Sequence, residues 1–159
     1  QGEIDILGRD YDSVTSVAGY AGGSEVGPDG QACYHGRYAY ESMGHAEVVN
    51  MNVPDNKFKD FAEVYFSLFL NGARSDVGDR GPAYRQLVGI PDGINSYLIE
   101  DLQEVADSYS ISLIEGFGDE EDNVLDHSIY VMDSTEFKFV QAEFFHQFHD
   151  GFRSTESYP

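Results

Sequence analysis

The chain has 159 residues, 41% hydrophobic and 14% aromatic, which suits one domain with a buried core and does not fit a disordered segment. Its 29 acidic against 9 basic residues give a net charge of −20, which would repel a phosphate backbone or an anionic lipid surface and argues against nucleic-acid binding. No apolar run approaches the roughly 20 residues that a bilayer-crossing helix requires, so direct membrane insertion is not expected.

The acidity fits a heavily solvated surface, or docking against a basic partner. The expectation is a soluble, acidic domain whose compartment is not legible. No secretory signal pattern opens the chain, and it starts at Gln1 rather than Met, as a processed or trimmed product would. The single cysteine, Cys33, allows no intrachain disulfide and no cysteine-based zinc site.

Residues 1–12 are polar and lack a helical apolar stripe, so any helix there is expected to be weak. Residues 13–20 predict a strand. Residues 22–36 are Gly-rich, with Pro28-Asp29-Gly30 as a turn signal. From His45 to Val53 the alternation predicts a strand. Asp55 is placed to cap a helix over 56–70, in which Phe58, Phe61, Ala62, Tyr65 and Phe69 make a core-facing stripe, and Asn71-Gly72 would end it.

Further on, 84–90 predicts a strand. A second helix is predicted over 95–108, with Leu98, Leu102, Val105, Ala106 and Tyr109 as its stripe. Strands follow at 110–115, 128–133 and 136–141. The acidic stretch from Glu115 to Asp126 has carboxylates a hard cation could use, but not at EF-hand spacing, and reads as a solvated loop. Helices mixed with strands predict an α+β fold, a two-layer sandwich in one domain, with 1–12 and 149–159 peripheral. Strands 13–20, 45–53, 84–90 and 128–133 are expected to share one sheet, with the two helices packed on it.

Four fragments carry the chemistry. They are Gly19-Tyr20-Ala21-Gly22-Gly23, Gly44-His45-Ala46-Glu47, Asp79-x-Gly81-x-x-Tyr84-Arg85 and Phe139-x-x-Ala142-Glu143-x-x-His146-Gln147. In this order and spacing the chain resembles the class A peptide methionine sulfoxide reductases, over roughly residues 13–90 and 137–148. The resemblance implies the α+β sandwich of that family and reduction of methionine S-sulfoxide by a cysteine thiolate. It implies no cofactor and no metal.

By that resemblance Glu47 is the acid that protonates the sulfoxide oxygen. Such an acid works best in an apolar pocket, where burial raises its pKa, so Glu47 is expected to be largely buried. Asp79 and Tyr84 would help bind the oxygen. A further tyrosine upstream of Glu47 belongs to the substrate site, and Tyr34, Tyr38 and Tyr40 compete for that place. Glu47, Asp79 and Tyr84 are expected to converge on one concavity. Glu143 and His146, three apart, could share a helical face, and His149 would be the third ligand of any metal site there. A hydrogen-bonded pair is the simpler expectation.

The departures are as informative. The family's nucleophile lies in a Gly-Cys-Phe-Trp-Gly segment, which would fall just upstream of residue 1, with Gln1-Gly2 at its Trp-Gly end. No Trp occurs in the chain. Ala83 replaces the family's Gln, Leu70-Asn71-Gly72 replaces its His-Asp-Pro, and no resolving cysteine stands near the C-terminus. Cys33 lies in a loop with nothing evident to lower its pKa. The expectation is a non-catalytic, reductase-like domain that acts as a structural or binding subunit of a larger protein assembly. The alternative is an active reductase whose cysteine lies upstream of residue 1.

Overall fold

The computed structural model describes residues 2–74 and 78–147. Gln1, His149 and the peripheral segment 149–159 therefore lie outside the described residues. The fold is mixed α and β. A short first helix, α1 (Gly2–Leu7), does form. Its polar sequence offers little propensity; what fastens it is Glu3, buried at 2% exposure. Each Glu3 carboxylate oxygen accepts from the Thr15 amide at 3.0 Å, and the Ser16 amide donates to Oε2 at 3.0 Å. The hydroxyls of Thr15 and Ser16 and the Arg9 guanidinium also donate to it.

Beyond a 3-10 turn at Tyr11–Ser13, strand β1 (Val17–Ala21) runs antiparallel to β2 (Ala46–Asn50). The predicted strand 13–20 thus begins late, and 45–53 is shorter at both ends. A 3-10 turn at Asp55–Lys57 leads into α2 (Phe58–Ser67). Asp55 opens the 3-10 turn and does not cap the helix, whose N-cap position is Lys57. Ala62 and Phe66 are buried on α2, and the fully buried Phe66 is absent from the predicted stripe.

The helix also stops short of residue 70. Phe69–Leu70 (β3) and Ala73–Arg74 (β4) form a hairpin around Asn71-Gly72. Both turn residues are left-handed, at φ 53° and 78°. Their conformational tolerance was read rightly, but it serves a two-residue hairpin and not a helix end.

Pro82–Tyr84 is a 3-10 turn, and strand β5 (Leu87–Ile90) follows it. A further 3-10 turn at Gly93–Asn95 precedes α3 (Ile99–Ser108), so the second helix starts four residues later than predicted. Leu102, Val105 and Ala106 are buried along it, as its stripe requires. Strands β6 (Ser112–Glu115) and β7 (Ser128–Asp133) come next, then β8 (Val140–Gln141).

The single shared sheet is not found. Among the described residues there are instead two three-stranded sheets, ordered β2-β1-β8 and β5-β7-β6. The first is antiparallel throughout and the second parallel throughout. The run of apolar positions predicted each strand, but pairing depends on contacts far apart in sequence. Phe66, Phe69, Leu102, Val105, Ile129 and Val131 belong to the larger core, which joins α2 and α3 to the parallel sheet. Tyr20, Tyr40, Met43, Ala83 and Ala142 belong to a second, smaller core. Among the described residues no helix is long and apolar enough to cross a membrane.

Candidate functional site

The second core carries the site. In the β1–β2 register Tyr20 stands opposite Glu47, and on the other edge of β1 Tyr20 pairs with Val140. Residues directly opposite on an antiparallel pair share a face, so Tyr20 and Glu47 are side-by-side neighbours. The 3-10 turn Tyr40–Met43 precedes β2 and lays the Tyr40 ring on Tyr20, with centroids 4.5 Å apart and planes at 13°. Tyr34 stacks on Tyr40 at 5.7 Å and 28°, and packs against the His146 ring at 4.6 Å.

The polar ends of these rings are ordered. The Tyr40 hydroxyl donates to Glu47 Oε1 at 2.8 Å. The Tyr84 phenol lies close enough to the Tyr40 phenol for each to act on the other. Burial, reinforced by the Glu47 carboxylate, pushes the Tyr40 phenol far above its ordinary range. Burial raises the Tyr84 phenol as well, and the charges of Glu47 and Asp79 add to it. Both phenols are therefore neutral hydrogen-bond donors across the physiological range.

Glu47, Tyr84 and Tyr40 thus come together, and Asp79 lies close enough for its charge to act on Tyr84. One expectation fails: Glu47 is exposed rather than buried. It stands on the edge strand β2, where its carboxylate meets Tyr40 on one side and solvent on the other. The three tyrosines differ in what they touch. Tyr40 reaches Glu47, and Tyr34 extends the stack. Tyr38 lies apart from the hydroxyl network, with its ring under the Arg37 guanidinium at 5.6 Å and its backbone carbonyl accepting from the Cys33 amide at 2.8 Å.

The four fragments are tied to one another. Arg85 is buried; its Nη2 donates to the Gly22 carbonyl and its Nη1 to the Pro82 carbonyl, each at 2.9 Å. The Arg85 Nε lies 3.3 Å from the Glu120 carboxylate. His45 is also buried. Its Nδ1 accepts from the Gly23 amide at 3.1 Å, and its Nε2 lies 2.7 Å from the Glu25 carbonyl. Burial holds its pKa below the usual histidine value, so it is neutral with the proton on Nε2. A Cβ on Gly23 would sit 2.3 Å from the Met43 carbonyl oxygen, so the two Gly-containing segments approach as closely as backbone allows. Asp122 accepts from the Gly81 amide at 3.1 Å and the Val124 amide at 3.0 Å, which anchors the segment carrying Tyr84.

The first and fourth fragments complete the arrangement with contacts the sequence did not show. The Tyr20 hydroxyl donates to Glu143 Oε2 at 2.8 Å, and the Tyr34 amide donates to Glu143 Oε1 at 2.9 Å. Burial disfavours the Glu143 carboxylate, but these hydrogen bonds outweigh it and hold its pKa below the ordinary value. Glu143 and His146 were expected to pair on a helix. They flank a 3-10 turn instead, with Nε2 and Oε2 3.9 Å apart. The Gln147 amide accepts from the Ala18 N–H at 2.8 Å and donates to the Ala18 carbonyl at 2.9 Å, so it mimics a strand beside β1. Tyr20 lay in the first fragment and Glu143 and Gln147 in the fourth, which was the available signal; their partners were not visible in sequence.

Cys33 sits in this neighbourhood, half-buried, and close enough to Tyr20 to act on its phenol. Among the described residues no group of three or more His, Cys, Asp or Glu is arranged to hold a metal ion. The arrangement offers two carboxylates, each with a phenol donor, around a tyrosine stack. Chemically it can hold a neutral polar oxygen and deliver a proton to it. No protein-family model, curated protein or solved structure matches the chain, so its likeness to the reductases rests on the four fragments themselves.

Proposed function

We propose that this chain carries the sulfoxide-recognition and proton-donor part of a peptide methionine-S-sulfoxide reductase, on a sandwich of that family's type, with the attacking thiolate supplied by a cysteine upstream of residue 1. The observation that carries it is the Tyr40–Glu47 hydrogen bond at 2.8 Å, with the Tyr84 phenol beside Tyr40. In the reaction a thiolate attacks the sulfoxide sulfur while Glu47 gives a proton to the departing oxygen. The attack joins the two sulfurs; the protonated oxygen then passes to the cysteine sulfur as its bond to the substrate sulfur and the sulfur–sulfur bond break, which leaves a thioether and a cysteine sulfenic acid that an external dithiol reduces with loss of water. The neutral phenols of Tyr40 and Tyr84 steady the oxygen as charge develops on it.

A second reading is a non-catalytic domain of the same type, serving as a structural or binding subunit of a protein assembly. The exposure of Glu47 and the absence of any Trp to seat the substrate methyl group favour it. One experiment separates the two. The chain and a longer form with the preceding segment are assayed with a methionine S-sulfoxide peptide and excess dithiol. The reductase reading expects turnover in the longer form, at least tenfold slower in Glu47→Gln. Binding of the S-sulfoxide without turnover in either form would leave the non-catalytic reading standing. A longer form whose turnover ignores Glu47→Gln and Tyr40→Phe would sink the assigned roles.

A further inference from the structure

We propose that Glu143 is a positioning residue of this site: by engaging the Tyr20 hydroxyl it keeps that phenol away from Glu47, so that Tyr40 alone donates to Glu47. The inference rests on the sulfoxide-binding reading above and names a residue that reading does not use.

Tyr20 and Tyr40 are stacked almost parallel at 4.5 Å, and both phenols are within the field of Glu47. In the β1–β2 register Tyr20 is the residue directly opposite Glu47. Left to itself, Tyr20 is a competing donor to that carboxylate. A Glu47 accepting from two phenols would be held more firmly as the carboxylate, which has no proton to give to a substrate oxygen. Glu143 removes the competitor. Its Oε2 takes the Tyr20 hydroxyl at 2.8 Å, while its Oε1 takes the Tyr34 amide at 2.9 Å and holds the outer ring of the stack. The charge that makes it a strong acceptor is secured by these same bonds.

The Gln147 amide fixes the backbone that presents Glu143. It bridges Ala18 of β1 to the Ala142 carbonyl, the latter at 3.1 Å. The stretch from Ala142 to Gln147 is thereby bolted to the strand that bears Tyr20, and the carboxylate arrives at a set height along the phenol.

The test uses the full chain with ¹³C-labelled tyrosine and glutamate. In the wild-type protein, through-hydrogen-bond NMR correlations are expected from the Tyr20 hydroxyl to Glu143 and from the Tyr40 hydroxyl to Glu47. A Tyr20 correlation to Glu47 overturns the proposal without any variant having to fold. In Glu143→Gln, the Tyr40 ring resonance is expected to move, and affinity for N-acetyl-methionine S-sulfoxide amide to fall about fivefold, the net worth of one hydrogen bond. The same substitution in a Tyr20→Phe background is expected to change affinity less than about twofold, because no competing hydroxyl remains. A merely structural Glu143 would cost the same in both backgrounds, and that result overturns the assignment. If the wild-type chain binds no sulfoxide, the functional reading fails, while the wild-type correlations and the Tyr40 resonance still decide the role of Glu143.

Discussion

Replacing Glu3 should cost this fold more than any other single surface-to-core change near the N-terminus. The carboxylate is buried, yet its pKa is drawn down to about 2 from 4.5. Burial opposes ionisation, but bonds from the Ser16 and Thr15 hydroxyls and then from their amides outweigh it. At about 1.4 kcal/mol per unit, a shift of that size contributes about 3 kcal/mol to stability at neutral pH. Glu3→Gln keeps the shape but turns one acceptor into a donor facing backbone N–H groups, and Glu3→Ala leaves all of them unpaired; both are expected to lose about 3–5 kcal/mol. In a chain of this length that corresponds to roughly 6–20 °C in Tm, read by circular dichroism at pH 7. The sign of the pH dependence follows from the lowered folded-state value. The charge contribution is full above about pH 5 and is lost as pH falls toward 2, so the pH-dependent gap between wild type and Glu3→Gln shrinks to below about 1 kcal/mol there. A Glu3→Gln variant within about 1 kcal/mol of wild type at pH 7, or a gap that does not narrow in acid, would refute the reasoning.

Other outcomes follow from the same contacts. The lowered His45 pKa means that its contribution is present above about pH 6.5 and lost as pH falls below that value, because the unfolded chain takes the proton first; an NMR titration in which the His45 ring charges at or above 6.5 would contradict this. Asn123→Ala removes the acceptor of the buried Gln86 amide at 2.7 Å and the donor to the Gln86 and Ser128 carbonyls at 3.0 Å, and should cost about 2–4 kcal/mol by denaturant titration. Gly23→Ala drives a Cβ into the Met43 carbonyl and should destabilise far more than Gly30→Ala, which has open space and pays only about 1 kcal/mol for its left-handed backbone; equal midpoints for the two would contradict the close approach. Tyr40→Phe deletes the donor to Glu47 and should weaken S-sulfoxide binding about tenfold with the fold intact, measured by calorimetry.

The sequence by itself determined the local matters. Periodicity located α3 through Leu102, Val105 and Ala106, because burial on one helix face imposes a repeat that survives any tertiary arrangement, and β7 was predicted at its full length. Asn71-Gly72 was legible as a left-handed pair, and the fragments around Tyr84 and Glu47 were legible as chemistry. Tertiary structure decided what depends on distant partners. It split the strands into an antiparallel and a parallel sheet, and turned the end of the first long helix into a hairpin. It kept Glu47 exposed on an edge strand, and chose Tyr40 from three nearby tyrosines. It also bound Glu143 to a phenol 123 residues earlier in the chain, and Gln147 to a strand 129 residues earlier. The reason is physical: a side chain's period records which face is buried, but a hydrogen-bond acceptor records nothing of its donor until the backbone brings the two within 3 Å of each other.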